Sequence, residues 1–413
     1  MSKFGLIGKK LGHSFSAEIH KAFGGYDYSL IELSEYELKS FFSAREFSGV
    51  NVTIPYKEAV IPLLDEISDS AKAIGSVNTV VNKNGRLIGY NTDFGGMNAL
   101  IKKMGLDLSG KKIAILGSGG TSKTAYALAK ELKAREIYVV SRRKADGFIT
   151  YDELYSDHKD VEILINATPC GMFPNIGESP LDISHLDNLC GVIDAIYNPL
   201  SSKLVLQAKE KGINAEGGLF MLVAQAALAV ELFKGEPVSA ESILDIYKSI
   251  YSKKENIVLI GMPASGKTTI GKIIAENLCK EFYDTDELIA RKYGKSIPEI
   301  FSEIGESGFR KLESEAIKEI AAKQGCVIAT GGGAVLCKNN IDTLKQNGRV
   351  VFIDRSLDSL IPTSDRPLSA NREALEKRYK ERYDIYCQSA DIHISCGDDA
   401  LENATNILKE MSL

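Results

Sequence analysis

Residues 261 to 268 read GMPASGKT, with two glycines, a lysine and a threonine at the spacing of a phosphate-binding loop. The apolar NIVLI precedes them and the amphipathic TIGKIIAENL follows, so the loop is predicted to join a strand to a helix. There, Gly261 and Gly266 would let backbone N–H groups surround phosphates. Lys267 would reach the transferring group, and the Thr268 hydroxyl would ligate Mg²⁺. The segment predicts a nucleotide site.

Two aspartates, Asp284 and Asp286, stand at the end of the next predicted strand, in EFYDTDELI. Side chains two residues apart on an extended segment lie on one side of it, here near the phosphate end of the sheet. One can therefore serve a metal and the other a substrate. The alternative is a pair of solvated turn aspartates.

A second glycine turn follows the predicted strand KIAIL and opens a helix, although Ser122 takes the third position of the dinucleotide fingerprint. Its glycines are Gly117, Gly119 and Gly120. About twenty residues on, where an NAD site would carry an acidic residue, the chain has Ser141, Arg142 and Arg143. Basic groups there favour a 2′-phosphate and hence NADP, the alternative being a surface arginine pair.

Short polar side chains are interleaved with the predicted strands before residue 100, a pattern that suits a polyol ligand. They are Ser14, Ser16, Asn51, Thr53, Lys57, Asn78, Asn91, Thr92 and Asp93.

Apolar runs alternate with amphipathic stretches along most of the chain, which predicts an α/β fold with mostly parallel sheets. We expect a substrate lobe over residues 1–100, with helices from 219–246 packing back on it, and a Rossmann-like lobe over 101–246. The polar segment 247–255 is the predicted linker, and 256–413 is a P-loop α/β domain with a parallel sheet.

Residues 3–245 resemble shikimate dehydrogenase through the motifs S-x-S, N-V-T-x-P-x-K and N-T-D. The resemblance implies that Lys57 and Asp93 form the catalytic pair, in which Lys57 shuttles a proton while Asp93 orients the reacting hydroxyl. It also implies cofactor contacts at Tyr197 and Gly218, beside those of the glycine turn and Ser141–Arg143. The implied substrate contacts are Ser14, Ser16, Asn51, Thr53, Asn78, Thr92 and Gln225.

Residues 256–410 resemble shikimate kinase, because the P-loop, D-x-D, G-F-R, G-G-G and R-P-L occur in that order. The resemblance implies that Asp284 helps to hold Mg²⁺ and that Asp286 engages the reacting hydroxyl. Arg310 and Arg382 would clamp the substrate carboxylate, next to the backbone of Gly332 and Gly333. Arg366 would be a lid arginine over ATP. The implied ATP contacts are Gly261, Ser265, Gly266, Lys267, Thr268 and Thr269.

Composition excludes several classes of protein. The net charge of −5, with 25% charged and 44% hydrophobic residues, indicates neither a nucleic-acid-binding face nor a membrane anchor. Seven widely spaced cysteines without a C-x-x-C pair suggest reduced thiols, and we expect a cytoplasmic protein. The oligomeric state stays open.

The two halves fit together, because the product expected of the first is the substrate expected of the second. The predicted function is NADPH-dependent reduction of 3-dehydroshikimate to shikimate, then phosphorylation of shikimate with ATP and Mg²⁺. The alternatives are quinate in the first half, another small alcohol in the second, or a nucleotide-responsive regulator without turnover.

Overall fold

The computed structural model describes residues 4–12, 14–360 and 372–412. The chain divides into two compact units. Unit 1 comprises Met1–Met172 and Glu178–Ile250, and unit 2 comprises Phe173–Gly177 and Tyr251–Leu413.

Unit 1 begins with a lobe built on a mixed six-stranded sheet of order β2-β1-β3-β5-β6-β4. The strands are β1 (Phe4–Gly8), β2 (Tyr28–Glu32), β3 (Gly49–Val52), β4 (Glu66–Ile67), β5 (Thr79–Lys83) and β6 (Arg86–Tyr90). The helices are α1 (Ser16–Gly24), α2 (Glu35–Ala44), α3 (Asp69–Ile74) and α4 (Thr92–Lys103). Only β5 runs against its neighbours β3 and β6, so the predicted polar residues after β3, before β5 and after β6 meet at one end of the sheet.

The second lobe of unit 1 has a fully parallel sheet of order β12-β11-β10-β7-β8-β9, as expected of a Rossmann-like lobe. The strands are β7 (Lys112–Leu116), β8 (Glu136–Val140), β9 (Phe148–Ile149), β10 (Ile163–Asn166), β11 (Gly191–Asp194) and β12 (Asn214–Glu216). The helices are α5 (Gly120–Glu131), α6 (Tyr151–Asp157) and α7 (Lys203–Glu210). Its central strands are apolar and buried because helices cover both faces.

Two further helices follow, α8 (Leu219–Lys234) and α9 (Ala240–Lys254). Helix α8 packs on the first lobe: a Cβ at Gly49 would meet Phe233, and one at Gly95 would meet Leu228. The segment 247–255, predicted as a linker, is helical through Lys254, and the division between the units falls within it.

Unit 2 contains a parallel five-stranded sheet of order β14-β15-β13-β16-β17. The strands are β13 (Asn256–Ile260), β14 (Glu281–Asp284), β15 (Cys326–Ala329), β16 (Gly348–Asp354) and β17 (Ile392–Ser395). The helices are α10 (Lys267–Asn277), α11 (Thr285–Tyr293), α12 (Ile297–Ala321), α13 (Lys338–Lys345), α14 (Arg372–Ser389) and α15 (Ala400–Glu410). In the described part of the chain, no helix has both the length and the apolar character that a membrane span requires.

Candidate functional site

Lys57 and Asp93 meet in unit 1, as an ion pair with Nζ and Oδ2 2.6 Å apart. Lys57 lies in the turn after β3, and its carbonyl accepts from Val77 N–H. Asp93 lies in the first turn of α4, which Asn91 begins by accepting a hydrogen bond from Phe94 N–H. The two side chains are only 15% and 10% exposed. Such a pair can move a proton to or from a bound hydroxyl.

Three predicted substrate residues form one hydrogen-bonded group beside this pair. Thr92 N–H donates to Asn78 Oδ1 at 2.7 Å, and Asn78 Nδ2 donates to the Thr92 hydroxyl at 3.0 Å. The Thr92 hydroxyl donates to Gln225 Oε1 at 3.2 Å. Because Gln225 comes from α8, the return of that helix to the first lobe completes the group.

Asn51, at the end of β3, is held by a residue that the sequence did not single out. The Tyr28 hydroxyl donates to Asn51 Oδ1 at 2.7 Å, and His20 stacks on the Tyr28 ring at 3.9 Å between centroids. Burial lowers the pKa of His20 to about 3. A neutral His20 therefore supports Tyr28 by packing. No sequence motif marks Tyr28, which reaches Asn51 only through the pairing of β2, β1 and β3.

Ser14, Ser16 and Tyr197 come together at the start of α1. The Ser14 hydroxyl donates to Ser16 Oγ at 3.1 Å, and the ring of Tyr197 lies 5.1 Å from that of Phe15. Burial raises the pKa of Tyr197, and a hydrogen bond with Ser14 has the opposite but smaller effect. The structure thus places Tyr197, for which the sequence predicted a cofactor contact, beside the S-x-S motif. Thr53 lies half-buried just after β3, where its N–H donates to Ile7 O.

The loop that carries Tyr197 is anchored by Asp194, at the end of β11. Asn166 Nδ2 and Ile196 N–H each donate to Asp194 Oδ1 at 3.0 Å, and the Ser202 hydroxyl donates to Oδ2. Burial nevertheless raises the pKa of Asp194 to about 7. Gly218 N–H donates to Ile196 O at 2.7 Å, and a Cβ at Gly218 would overlap the Ala195 carbonyl. The close approach of the Ala195 carbonyl therefore leaves no room for a side chain at position 218.

The first glycine turn lies between β7 and α5, next to the Lys57–Asp93 pair. Gly117 has a φ of 105°, which favours glycine, and Gly119 begins the helix. A Cβ at Gly120 would lie 2.8 Å from Ser76 Oγ and 3.4 Å from Lys57 Cδ. One at Gly119 would meet no atom within 4 Å, so there is open space on that side of the turn.

Strand β8 is hydrogen-bonded to β7 and is followed by Ser141, Arg142 and Arg143. At the end of β8, the Val140 carbonyl accepts a hydrogen bond from Gly117 N–H. Both arginine side chains are exposed. The structure thus places them at the same edge of the sheet as the glycine turn.

In unit 2, residues 264–269 line a cavity together with Asp284, Asp286, Thr330 and Gly332. Ser265 and Lys267 are buried, whereas Thr269 is exposed. Gly261 and Gly266 have φ values of 151° and 88°. Lys267 Nζ donates to the carbonyls of Gly261 and Met262, at 3.0 and 2.8 Å. The backbone around the cavity therefore has the wrapped form that cradles phosphates.

Thr268 and Asp284 suit a magnesium ion. The Thr268 hydroxyl donates to Asp284 Oδ2 at 2.7 Å, while Asp284 Oδ1 caps α11 by accepting from Asp286 and Glu287 N–H. Hydroxyl and carboxylate oxygens are the ligands that Mg²⁺ takes in phosphoryl-transfer sites, usually one or two from the protein. The described residues hold no cluster of three or more His, Cys, Asp or Glu placed to bind a metal.

Arg310 faces Asp286 across the glycine turn after β15. A Cβ at Gly333 would overlap the Arg310 guanidinium, and one at Gly331 would lie 2.7 Å from both Asp286 Oδ1 and Glu313 Oε1. Glu313, which the sequence did not single out, accepts from Arg310 Nη1 at 2.7 Å. Burial raises the pKa of Glu313 to about 7, although Arg310 lowers it. Glu313 stands three residues after Arg310, on the same face of α12.

Arg382, on α14, is buried and donates to Gly332 O at 3.0 Å. The Tyr386 hydroxyl donates to the same carbonyl. Arg310 and Arg382 therefore both lie at the Gly331–Gly333 turn. Arg366 lies outside the described residues.

Comparisons with known proteins find matches to both parts of the chain. A model of the shikimate dehydrogenase substrate binding domain matches residues 6–80, and a shikimate kinase model matches residues 263–412. Shikimate dehydrogenase (NADP(+)) of Clostridium perfringens is 38% identical over 268 residues, which cover 60% of this chain and 98% of the relative.

Solved structures give the same result for the first part of the chain. Shikimate dehydrogenase 1 from Peptoclostridium difficile matches with a TM-score of 0.58 at 36% identity, over 60% of this chain and 98% of that one. The enzyme from Thermus thermophilus in complex with NADP(H) and shikimate matches with a TM-score of 0.54 at 29% identity, over 60% and 99%.

The fold and the two sites define a dehydrogenase joined to a P-loop phosphotransferase. The chain belongs to the shikimate dehydrogenase family and carries a shikimate kinase domain, which makes it a bifunctional enzyme of the shikimate pathway.

Proposed function

We propose that unit 1 reduces 3-dehydroshikimate to shikimate with NADPH, and that unit 2 phosphorylates shikimate with MgATP to shikimate 3-phosphate. The observation that carries this proposal is the position of the Lys57–Asp93 pair against Gly120 of the dinucleotide turn. A proton-transfer pair next to a hydride donor is what reduction of a ring ketone needs.

In the reduction, NADPH bound at the Gly117–Gly120 turn would supply the hydride to the ketone carbon. Lys57 protonates the oxygen of that carbon, and Asp93 accepts a hydrogen bond from the hydroxyl that forms. Asn51, Asn78, Thr92 and Gln225 bind ring hydroxyls. Ser14, Ser16, Thr53 and Tyr197 complete the substrate pocket, and Arg142 with its neighbours binds the 2′-phosphate.

In the phosphorylation, Mg²⁺ held by Thr268 and Asp284 would neutralise charge on the ATP phosphates. Asp286 accepts the proton of the attacking hydroxyl, while Lys267 and the P-loop amides stabilise the transferring group. Arg310 and Arg382 hold the shikimate carboxylate against Gly332 and Gly333, because two guanidinium groups match a planar anion.

The test is a pair of assays on the intact chain. We expect NADPH to be oxidised when 3-dehydroshikimate is added, and shikimate 3-phosphate to form once MgATP is present, as read by absorbance and mass spectrometry. Quinate with NAD⁺ and other small alcohols with MgATP are assayed as alternative substrates. A higher kcat/KM with any of them would contradict the proposed substrates.

A further inference from the structure

Thr79, the first residue of β5, has a hydroxyl at the centre of the substrate-binding group. Its side chain is fully buried, so it does not touch a bound substrate. Its partners are nevertheless three residues proposed to do so. Asn51 Nδ2 donates to Thr79 Oγ1 at 3.0 Å, the Thr79 hydroxyl donates to Asn78 Oδ1 at 3.1 Å, and Thr92 Oγ1 lies 3.1 Å away.

Two backbone contacts identify which atom of each amide is the oxygen and which is the nitrogen. Thr92 N–H can only donate, so the atom of Asn78 that it meets at 2.7 Å is the oxygen. The carbonyl of Asn78 can only accept, so the atom of Asn51 that it meets at 3.4 Å is the nitrogen. Between these two amides, a group must accept from Asn51 and donate to Asn78. Among uncharged side chains of this size, a hydroxyl does both.

The strand itself has no need of a hydroxyl. Residues 80 and 81 are buried valines, and a valine at position 79 would fill nearly the same volume. It would remove one hydrogen bond from Asn51 Nδ2 and one from Asn78 Oδ1, which would leave each amide fewer contacts to fix its orientation. Thr79 faces Asn51 directly across the β3–β5 pair, which makes the contact a property of the strand register.

We propose that Thr79 is a positioning residue for the dehydrogenase substrate: its hydroxyl orients the amides of Asn51 and Asn78 toward the ring hydroxyls. This role rests on the proposed function of unit 1. It predicts weaker substrate binding, and a smaller change in the chemical step, when the hydroxyl is removed.

The experiment compares Thr79→Val, Thr79→Ala and Thr79→Ser in the intact chain. The alanine and serine variants differ only in the hydroxyl, so their comparison remains valid if valine or the missing methyl group perturbs the fold. We expect shikimate KM in the NADP⁺-linked oxidation to rise by about tenfold in the valine and alanine variants and by less than about twofold in the serine variant. kcat and the KM for NADP⁺ should change by less than about threefold.

Several outcomes would overturn the proposal. Equal KM values for the alanine and serine variants would show that the hydroxyl does not position the amides. Parallel losses in shikimate KM, NADP⁺ KM and kcat, or loss of folding without the hydroxyl, would assign Thr79 a purely structural role. If the wild-type chain has no dehydrogenase activity, the proposed function of unit 1 fails together with the role of Thr79. If the wild-type chain is active, the variants test the role of Thr79 alone. The phosphorylation rate of each variant is the internal control.

Discussion

At the scale of single residues, burial decides the protonation of two carboxyl groups. Asp194 and Glu313 both have a pKa raised to about 7, because burial penalises their charged form. Their partners differ. Asp194 accepts hydrogen bonds from the neutral side chains of Asn166 and Ser202, whereas Glu313 contacts the Arg310 guanidinium.

Asp194→Asn tests the effect of this burial on stability. Between the usual pKa near 3.8 and the raised value of about 7, the folded state holds a proton that the unfolded state has lost. Wild-type stability should therefore fall as pH rises through this window, by on the order of 4 kcal/mol in total. Asparagine does not titrate and keeps an acceptor for Ile196 N–H.

We expect the free energy of unfolding of Asp194→Asn, relative to that of wild type, to increase as pH rises from about 4 to about 7. The measurement is thermal unfolding of the intact chain, following the transition that NADP⁺ shifts. A constant difference between the two proteins across that range would mean that Asp194 is ionised throughout.

At the scale of elements, glycines mark the places where segments approach each other most closely. Gly120 lets α5 approach Ser76 and Lys57, Gly218 lets α8 begin against the Ala195 carbonyl, and Gly333 leaves room for Arg310. The first of these contacts places the glycine turn after β7 against Lys57, which is proposed to be catalytic. The third places the glycine turn after β15 against Arg310, which is proposed to bind the substrate.

Gly333→Ala should displace the Arg310 side chain without unfolding unit 2, because the atoms that the new Cβ meets are the flexible end of that side chain. We expect shikimate KM in phosphorylation to rise by about tenfold, with the KM for MgATP nearly unchanged. Gly397→Ala is the matched control, since a Cβ there meets no atom within 4 Å. An unchanged shikimate KM would argue against a carboxylate contact by Arg310.

Arg142, in the loop after β8, should determine the choice of dinucleotide. Arg142→Ala is expected to raise the KM for NADP⁺ by about tenfold or more and that for NAD⁺ by much less, because only NADP⁺ carries the 2′-phosphate. Steady-state kinetics with both cofactors measures this. Equal losses would assign the phosphate contact to another group, with Arg143→Ala as the comparison.

At the scale of the whole molecule, every described residue proposed for reduction lies in unit 1, and every one proposed for phosphorylation lies in unit 2. Each unit has its own sheets and its own buried core. The two activities should therefore be separable by mutation within one chain.

Lys57→Ala should lower the rate of reduction by at least about 100-fold and leave phosphorylation unchanged, because a proton-transfer group is lost from one unit only. Asp286→Asn should have the opposite effect. Both rates are measured on the same purified protein. A folded variant that lost both activities would show that a site draws residues from both units.

Motifs made of consecutive residues were readable from the sequence. The strand–glycine–helix segments at 112–131 and 256–277 were predicted and occur as predicted, because local backbone conformation creates a phosphate-binding turn. The helix that continues through Lys254 was not predicted. The segment 247–255, taken by itself, contains only one residue of an apolar repeat at Ile243, Ile246 and Ile250. Seen whole, that repeat is helical.

The sequence by itself determined the α/β class, both nucleotide turns and the family of each half, since these depend on residue order over short distances. Only the tertiary structure decided which polar groups pair. Asn78 meets Gln225 across 147 residues, Tyr28 reaches Asn51 through strand pairing, and Tyr197 lies beside Ser14. Such contacts depend on how elements pack, and buried polar groups take whichever partner the packing brings within hydrogen-bonding distance.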